Sequence, residues 1–198
     1  TIVIFTSDHG DMMGSHRLIA KCVMFEEAAR VPLMIRLPGQ KQWKHVSGPV
    51  SQIDVVPTLL DLMDHSIPQQ LQGESLRELL ETDNAISTRN AFIEWNGPNS
   101  GIVGEATDNF RLPSRLEGVV SCDELKEAIT DSVRTVISPD GWKLNCSPLG
   151  EHELYDLNND PGETVNIFAE NKEPARKLRE EIVTWQQETG DTVELPLL

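Results

Sequence analysis

In the run TIVIFTSDHGD an acidic and an imidazole side chain stand side by side as Asp8 and His9, with Gly10 directly behind them. A carboxylate offers a hard anionic oxygen and an imidazole a nitrogen lone pair, a combination suited to a divalent cation. Gly10 lets the backbone turn sharply after the two donors. Two donors do not complete a metal site, so others must come from elsewhere in the fold. An isolated Asp-His-Gly also fits a plainer role, in which Asp8 caps a turn and His9 faces solvent.

The elements that would position this pair follow from the hydrophobic pattern. Residues 2–6 are almost wholly apolar, the composition of a central strand covered on both faces, as in the parallel sheet of an α/β fold. Ligands in open α/β sheets gather beyond the carboxyl ends of strands, which is where Asp8 and His9 lie. A second strand is predicted over 31–37, stopped by Pro38-Gly39. SQIDVVPTLLDLMD places Ile53, Val56, Leu59, Leu60 and Met63 on one helical face, with Pro57 tolerated in the first turn if the helix begins near Asp54 or Val55. A short helix is expected over 75–81, with Ser75 as its cap, and a strand over 90–95.

Residues 96–118 are rich in Gly, Pro, Asn and Ser and read as a long loop, followed by a helix over 123–130. VRTVIS, WKLNC and HELYDL then form short strands separated by PDG and SPLGE turns, an antiparallel meander. The closing PARKLREEIVTWQQE is an amphipathic helix whose Leu178, Ile182 and Trp185 would lie on that meander. Three units result: 1–95 as an α/β part, 96–132 as a loop-rich connection, and 133–198 as an antiparallel subdomain with a terminal helix.

The chain has 198 residues and a formal charge of -15, from 32 acidic and 17 basic residues. Such a balance repels phosphate backbones and anionic lipid, so nucleic acid is not an expected partner. No apolar run reaches the roughly 18 residues of a membrane-spanning helix, and no membrane partner is expected. Cys22, Cys122 and Cys146 are odd in number and far apart, which argues against a disulfide framework or zinc site and fits reduced thiols and a cytoplasmic setting. A start inside a strand leaves an N-terminal signal unassessable.

SDHGDMMGSHRLIAKCVMFEEAARVPLMIRLPG resembles the sulfatase branch of the alkaline phosphatase superfamily. Its members carry a Ser-Asp-His-Gly-Glu turn, then Gly-x-His, a Lys, an aromatic-Glu-Glu segment and Arg-Val-Pro-Leu-Ile. SQIDVVPTLLDLM, LQGESL, WKLN and ELYDLNNDPGETVNIF resemble later blocks of the family in the same order. The resemblance implies an alkaline-phosphatase-like α/β fold, with part of a mostly parallel sheet, flanking helices and a small C-terminal antiparallel sheet. It makes Asp8 and His9 ligands of a divalent metal. Calcium is the implied ion, and the imidazole of His9 keeps manganese or zinc open. Lys21 matches the lysine that binds the anionic oxygens of substrate and steadies or protonates the departing oxygen. A compact ammonium beside a metal would neutralise charge in a sulfuryl-transfer transition state, although taken alone Lys21 reads as a solvated surface charge. His16 could bond substrate or a metal ligand, or serve a supporting or surface role. Glu26, Glu27 and Arg30 have the spacing of helical ion pairs and read as structural.

The family's nucleophile, a formylglycine made from the Cys of Cys-x-Pro-x-Arg, or a Ser or Thr, is not found here and is expected only in a missing N-terminal part. CSPLG is a near miss, because Gly150 stands where Arg is required. DLNNDPGE mimics a calcium loop, but Pro161 and Ile167 occupy the required Gly and Glu positions. The expected function is sulfate-ester hydrolysis by the complete enzyme, acting on a small molecule or saccharide, with the isolated chain inactive. The alternatives are a phosphonate or phosphate ester hydrolase of the same superfamily, and a non-catalytic truncated fragment. An unpaired first strand would also invite self-association or a companion chain completing the sheet.

Overall fold

Leu144 and Cys146 point to one side of a strand and Lys143 and Asn145 to the other, and all four are buried. A strand with an apolar and a polar face, both covered, needs a different partner on each side. In the computed structural model, which describes residues 1–83, 85–97, 118, 121, 123, 126, 127 and 130–198, that strand lies inside a four-stranded antiparallel sheet. Numbered in chain order, the sheet consists of β3 (Ala91–Glu94), β4 (Arg134–Ile137), β5 (Trp142–Cys146) and β6 (Glu153–Asp156). Val136 pairs with Leu144 and Leu144 with Leu154, so one face carries a continuous apolar row. The predicted meander is therefore present. The strand expected over 90–95 joins it as an edge strand by pairing with β4.

The apolar row is covered by the long terminal helix α4 (Lys172–Thr189), where Ala175, Leu178 and Ile182 are buried against it. Trp185 stacks on Phe92 of β3 with ring centroids 5.3 Å apart. The spacing of these residues, three to four apart, puts them on one face of a 3.6-residue helix. Gly190, at φ 75°, ends the helix in the left-handed conformation that glycine adopts without strain. The helix expected over 123–130 and the loop over 96–118 lie largely outside the described residues.

Arg134 ties the sheet to the tail beyond α4. Its buried guanidinium donates to both carboxylate oxygens of Asp191 at 2.8 Å, to Asn96 Oδ1 at 2.8 Å and to the Trp95 carbonyl at 3.0 Å. The guanidinium lowers the Asp191 carboxyl from an ordinary 3.8 to about 2. A carboxyl depressed in the folded state stabilises it above the unfolded value and loses that contribution as pH falls. Unfolding free energy should therefore drop by about 2 kcal/mol between about pH 4 and pH 2 from this group. Denaturant titrations across that window should show Asp191→Asn lacking this part of the slope.

The N-terminal half is held differently. Strand β1 (Val3–Thr6) pairs antiparallel with β2 (Leu33–Arg36) in a two-stranded sheet. The expectation of a central strand with parallel neighbours is not met among the described residues. One face of the pair carries Val3, Phe5 and Met34, which are exposed. An all-apolar strand suggests cover on both faces, whereas among the described residues the Ile4 and Ile35 side is partly buried and the opposite side is exposed.

Helix α1 (Glu26–Ala29) precedes β2, while α2 (Val55–Leu62) and α3 (Arg77–Glu81) follow it. Helix α2 begins where Pro57 requires. Asp54 is buried at its start, accepts from the Ser51 and Glu74 backbone N–H groups, and pairs with Arg89 at 3.0 Å. Ser75 does not cap α3 from the first position outside the helix, which Leu76 occupies. Its hydroxyl donates to Asp61 and accepts from the Arg77 N–H at 3.1 Å.

Candidate active site

Strand β1 ends at Thr6 and delivers Ser7 to Gly10 into a tight connection. The Ser7 hydroxyl donates to the His9 carbonyl at 2.8 Å, and Gln52 donates to the Ser7 carbonyl, so the backbone under the two candidate ligands is tied from both sides. Gly10 N–H donates to the Ala28 carbonyl at 2.8 Å. A Cβ on Gly10 would sit 1.9 Å from the Glu27 carbonyl oxygen. Glycine is thus needed here for close backbone approach to α1, not for the sharp turn that the sequence suggested, since Gly10 is not among the residues at positive φ. Gly10→Ala should cost about 1–3 kcal/mol of stability, as overpacking does, and a thermal melt checks it.

His9 Nδ1 lies 2.7 Å from the Gly10 carbonyl, which can only accept, so Nδ1 carries the proton and Nε2 presents its lone pair. Lys21 Nζ donates to that lone pair at 2.8 Å. Asp8 Oδ2 is 3.5 Å from the same nitrogen. A hydrogen bond from its own backbone N–H holds the Asp8 carboxyl below its usual value. The carboxylate is 85% exposed. Two acceptors 3.5 Å apart match the bite of one cation bound at about 2.0–2.6 Å from each, and a fixed imidazole tautomer is what a metal-binding histidine needs. The donor set fits a divalent ion but supplies only two ligands. No group of three or more His, Cys, Asp or Glu gathers for a metal among the described residues.

The structure therefore brings Asp8, His9 and Lys21 together. Lys21 reaches the pair through a loop in which Met13, His16, Arg17, Ala20 and Cys22 all have positive φ, a costly conformation for non-glycine residues. His16 is placed flat on Phe25, with ring centroids 3.8 Å apart, and Glu27 and Asp160 are its electrostatic neighbours. Phe25 in turn touches Tyr155 of β6.

Sequence reasoning missed a buried charge cluster beneath this loop. Lys143, fully buried on β5, pairs with Glu163 Oε1 at 2.8 Å and Glu26 Oε1 at 3.0 Å. The Glu26 N–H donates to Glu163 Oε2 at 2.6 Å. The i,i+4 ion pair expected between Glu26 and Arg30 is present at 4.0 Å on the exposed side, while Lys143 is the closer cation to Glu26 at 3.0 Å. The signal available was a lysine flanked by Trp142 and Leu144 inside the strand WKLNC.

Comparison with known proteins decides the family. The model of N-sulphoglucosamine sulphohydrolase, C-terminal, matches residues 14–105. The sulfatase YidJ of Escherichia coli K12 is 35% identical over 85% of this chain, and arylsulfatase K of Canis lupus familiaris is 34% identical over 84%. This chain belongs to the sulfatase family. It spans 28% of the length of each of those two relatives. Among solved structures, BT4656 in complex with its substrate D-glucosamine-2-N,6-O-disulfate matches 97% of the chain and 35% of its own length, at TM-score 0.72 and 26% identity. The phosphonate monoester hydrolase of Agrobacterium radiobacter matches 96% of the chain and 35% of its own length, at TM-score 0.65 and 26% identity. The alkaline-phosphatase-like fold implied by the sequence words is thereby established, and sulfatases of this kind use a divalent metal.

Proposed function

We propose that this segment supplies part of the active site of a metal-dependent sulfate-ester hydrolase acting on a sulfated saccharide. The observation carrying the proposal is the convergence of Asp8, the Nε2 lone pair of His9 and the Lys21 ammonium at the end of β1. Asp8 and His9 would hold the ion, with calcium favoured by the family resemblance and manganese or zinc by the imidazole. The bound ion supplies electrostatic stabilisation of the anionic group under attack. Lys21 Nζ, released from His9, donates to a sulfate oxygen and then stabilises or protonates the departing oxygen. The nucleophile comes from another part of the protein, as a formylglycine by the same resemblance. The sugar-sulfate substrate of BT4656 and the N-sulphoglucosamine sulphohydrolase match favour an amino-sugar sulfate over an aryl sulfate.

A second reading, phosphonate or phosphate ester hydrolysis, draws on the likeness to the Agrobacterium radiobacter enzyme. Assaying the full-length protein against glucosamine sulfates and a phosphonate monoester separates the two. Preferred turnover of the sulfate is expected, and preferred turnover of the phosphonate would replace the first reading with the second. The exposed face formed by Val3, Phe5 and Met34 we assign to contact with further polypeptide, either the remainder of the catalytic sheet or a second copy. Sedimentation of this chain alone at micromolar concentration should show self-association, and a monodisperse monomer would count against that assignment.

A further inference from the structure

The fully buried Lys143 and Glu163 lie on the C-terminal part of the chain, yet their partner Glu26 opens α1, in the segment that carries the candidate ligands. Helix α1 is the floor of the site. The Ala28 carbonyl receives the Gly10 N–H at 2.8 Å, and the Glu27 carbonyl lies so close to Gly10 that no Cβ fits between them. Gly10 is the next residue after His9, and its carbonyl fixes the His9 tautomer at 2.7 Å. A continuous path of short contacts therefore runs from Glu163 and Lys143 through Glu26 and α1 to the imidazole. Its far end is rigid, because β5 is flanked by β4 and β6 and packed on α4. Glu163 itself is held at φ 50°, in left-handed backbone that a non-glycine residue adopts only where its surroundings enforce it.

We propose that the Glu26–Lys143–Glu163 cluster is a positioning device that sets the metal-binding geometry of Asp8 and His9 from the C-terminal sheet. The inference rests on the reading of Asp8 and His9 as metal ligands. None of the three residues touches the ion; they act through α1. Side chains that orient ligands from behind typically change metal affinity by about 10–100-fold when removed. Lys143→Met removes the charge while keeping an unbranched apolar stem one atom shorter, and leaves Glu26 and Glu163 without their shared cation. Lys143→Arg keeps a cation in place.

The test is calcium binding by isothermal titration calorimetry on the full-length protein after chelation, with manganese in a parallel series. Lys143→Met should weaken binding about tenfold or more, whereas Lys143→Arg should remain within about threefold of the unmodified protein. Val136→Ala, on the opposite, apolar face of the same sheet, lowers stability without touching the path and should leave the affinity unchanged. A folded Lys143→Met protein with unmodified affinity overturns the proposal, as does an equal loss in Val136→Ala. Should Lys143→Met not fold, the milder Glu26→Gln takes its place, with the same loss expected and an unchanged affinity equally fatal. Asp8→Ala separates the two levels: calcium binding that survives it removes the metal reading itself, whereas binding lost in Asp8→Ala but intact in Lys143→Met removes only the positioning role.

Discussion

In the full-length protein Lys21→Ala lowers kcat/KM for a sulfate ester by about 100–1000-fold, the cost of removing one preorganised charged donor from a developing oxyanion. The fall should lie mainly in kcat, because an ammonium aimed at charge that grows during bond breaking does more for the transition state than for the bound substrate. Stability should hardly move. Lys21 is exposed and its side-chain bond among the described residues is the 2.8 Å contact to His9 Nε2, so its removal stays within about 0.5 kcal/mol, as for other surface substitutions. Lys21→Arg should recover only part of the rate, since a planar guanidinium does not reproduce a compact point charge. Steady-state kinetics beside a thermal melt provide the check. A loss below tenfold would remove Lys21 from the chemistry.

Lys143→Ala has the opposite signature. It should destabilise the fold by about 3–5 kcal/mol, because it leaves two carboxylates, Glu26 and the fully buried Glu163, without the cation they share. Urea titration of the folded protein measures it. Burial already pushes the Glu163 carboxyl above its ordinary value, against the opposing pull of Lys143. A carboxyl raised in the folded state favours folding below the unfolded value near 4.5, and that contribution is lost as pH rises through the folded value. The deficit of the variant should accordingly be smaller at pH 4 than at pH 7, because a proton on Glu163 then substitutes for the missing cation.

The parts of this molecule that follow from short-range periodicity could be read in advance. The spacing of Leu178, Ile182 and Trp185 can only be an amphipathic helix, and the PDG and SPLGE turns can only separate antiparallel strands. Asp8 beside His9 is visible as a ligand pair because the two are adjacent. That Lys21 returns to within 2.8 Å of His9 is not visible, since the loop between them passes through left-handed residues that no composition rule signals. The surroundings of β1 are hidden from the sequence for a related reason. An apolar strand looks the same whatever covers it, and here the face with Val3 and Phe5 is open while the strand neighbour among the described residues is the antiparallel β2. The Lys143 cluster is the hardest to foresee, because its members come from residues 26, 143 and 163 and nothing local in the sequence joins them.

The two unlike faces of the C-terminal sheet bear on how the chain finds its fold. Sliding β5 by a single residue against its neighbours would swing Lys143 and Asn145 into the packing of Val136, Leu154 and Ile182, and turn Leu144 and Cys146 toward the carboxylates. Thr135 and Asn145, bonded side chain to side chain at 2.7 Å, and Asn145 and Glu153 at 2.8 Å, would lose their partners in the same movement. Misaligned hairpins are thus penalised on both sides at once, so the meander rejects the near-native alternatives that a sheet with one featureless face would tolerate.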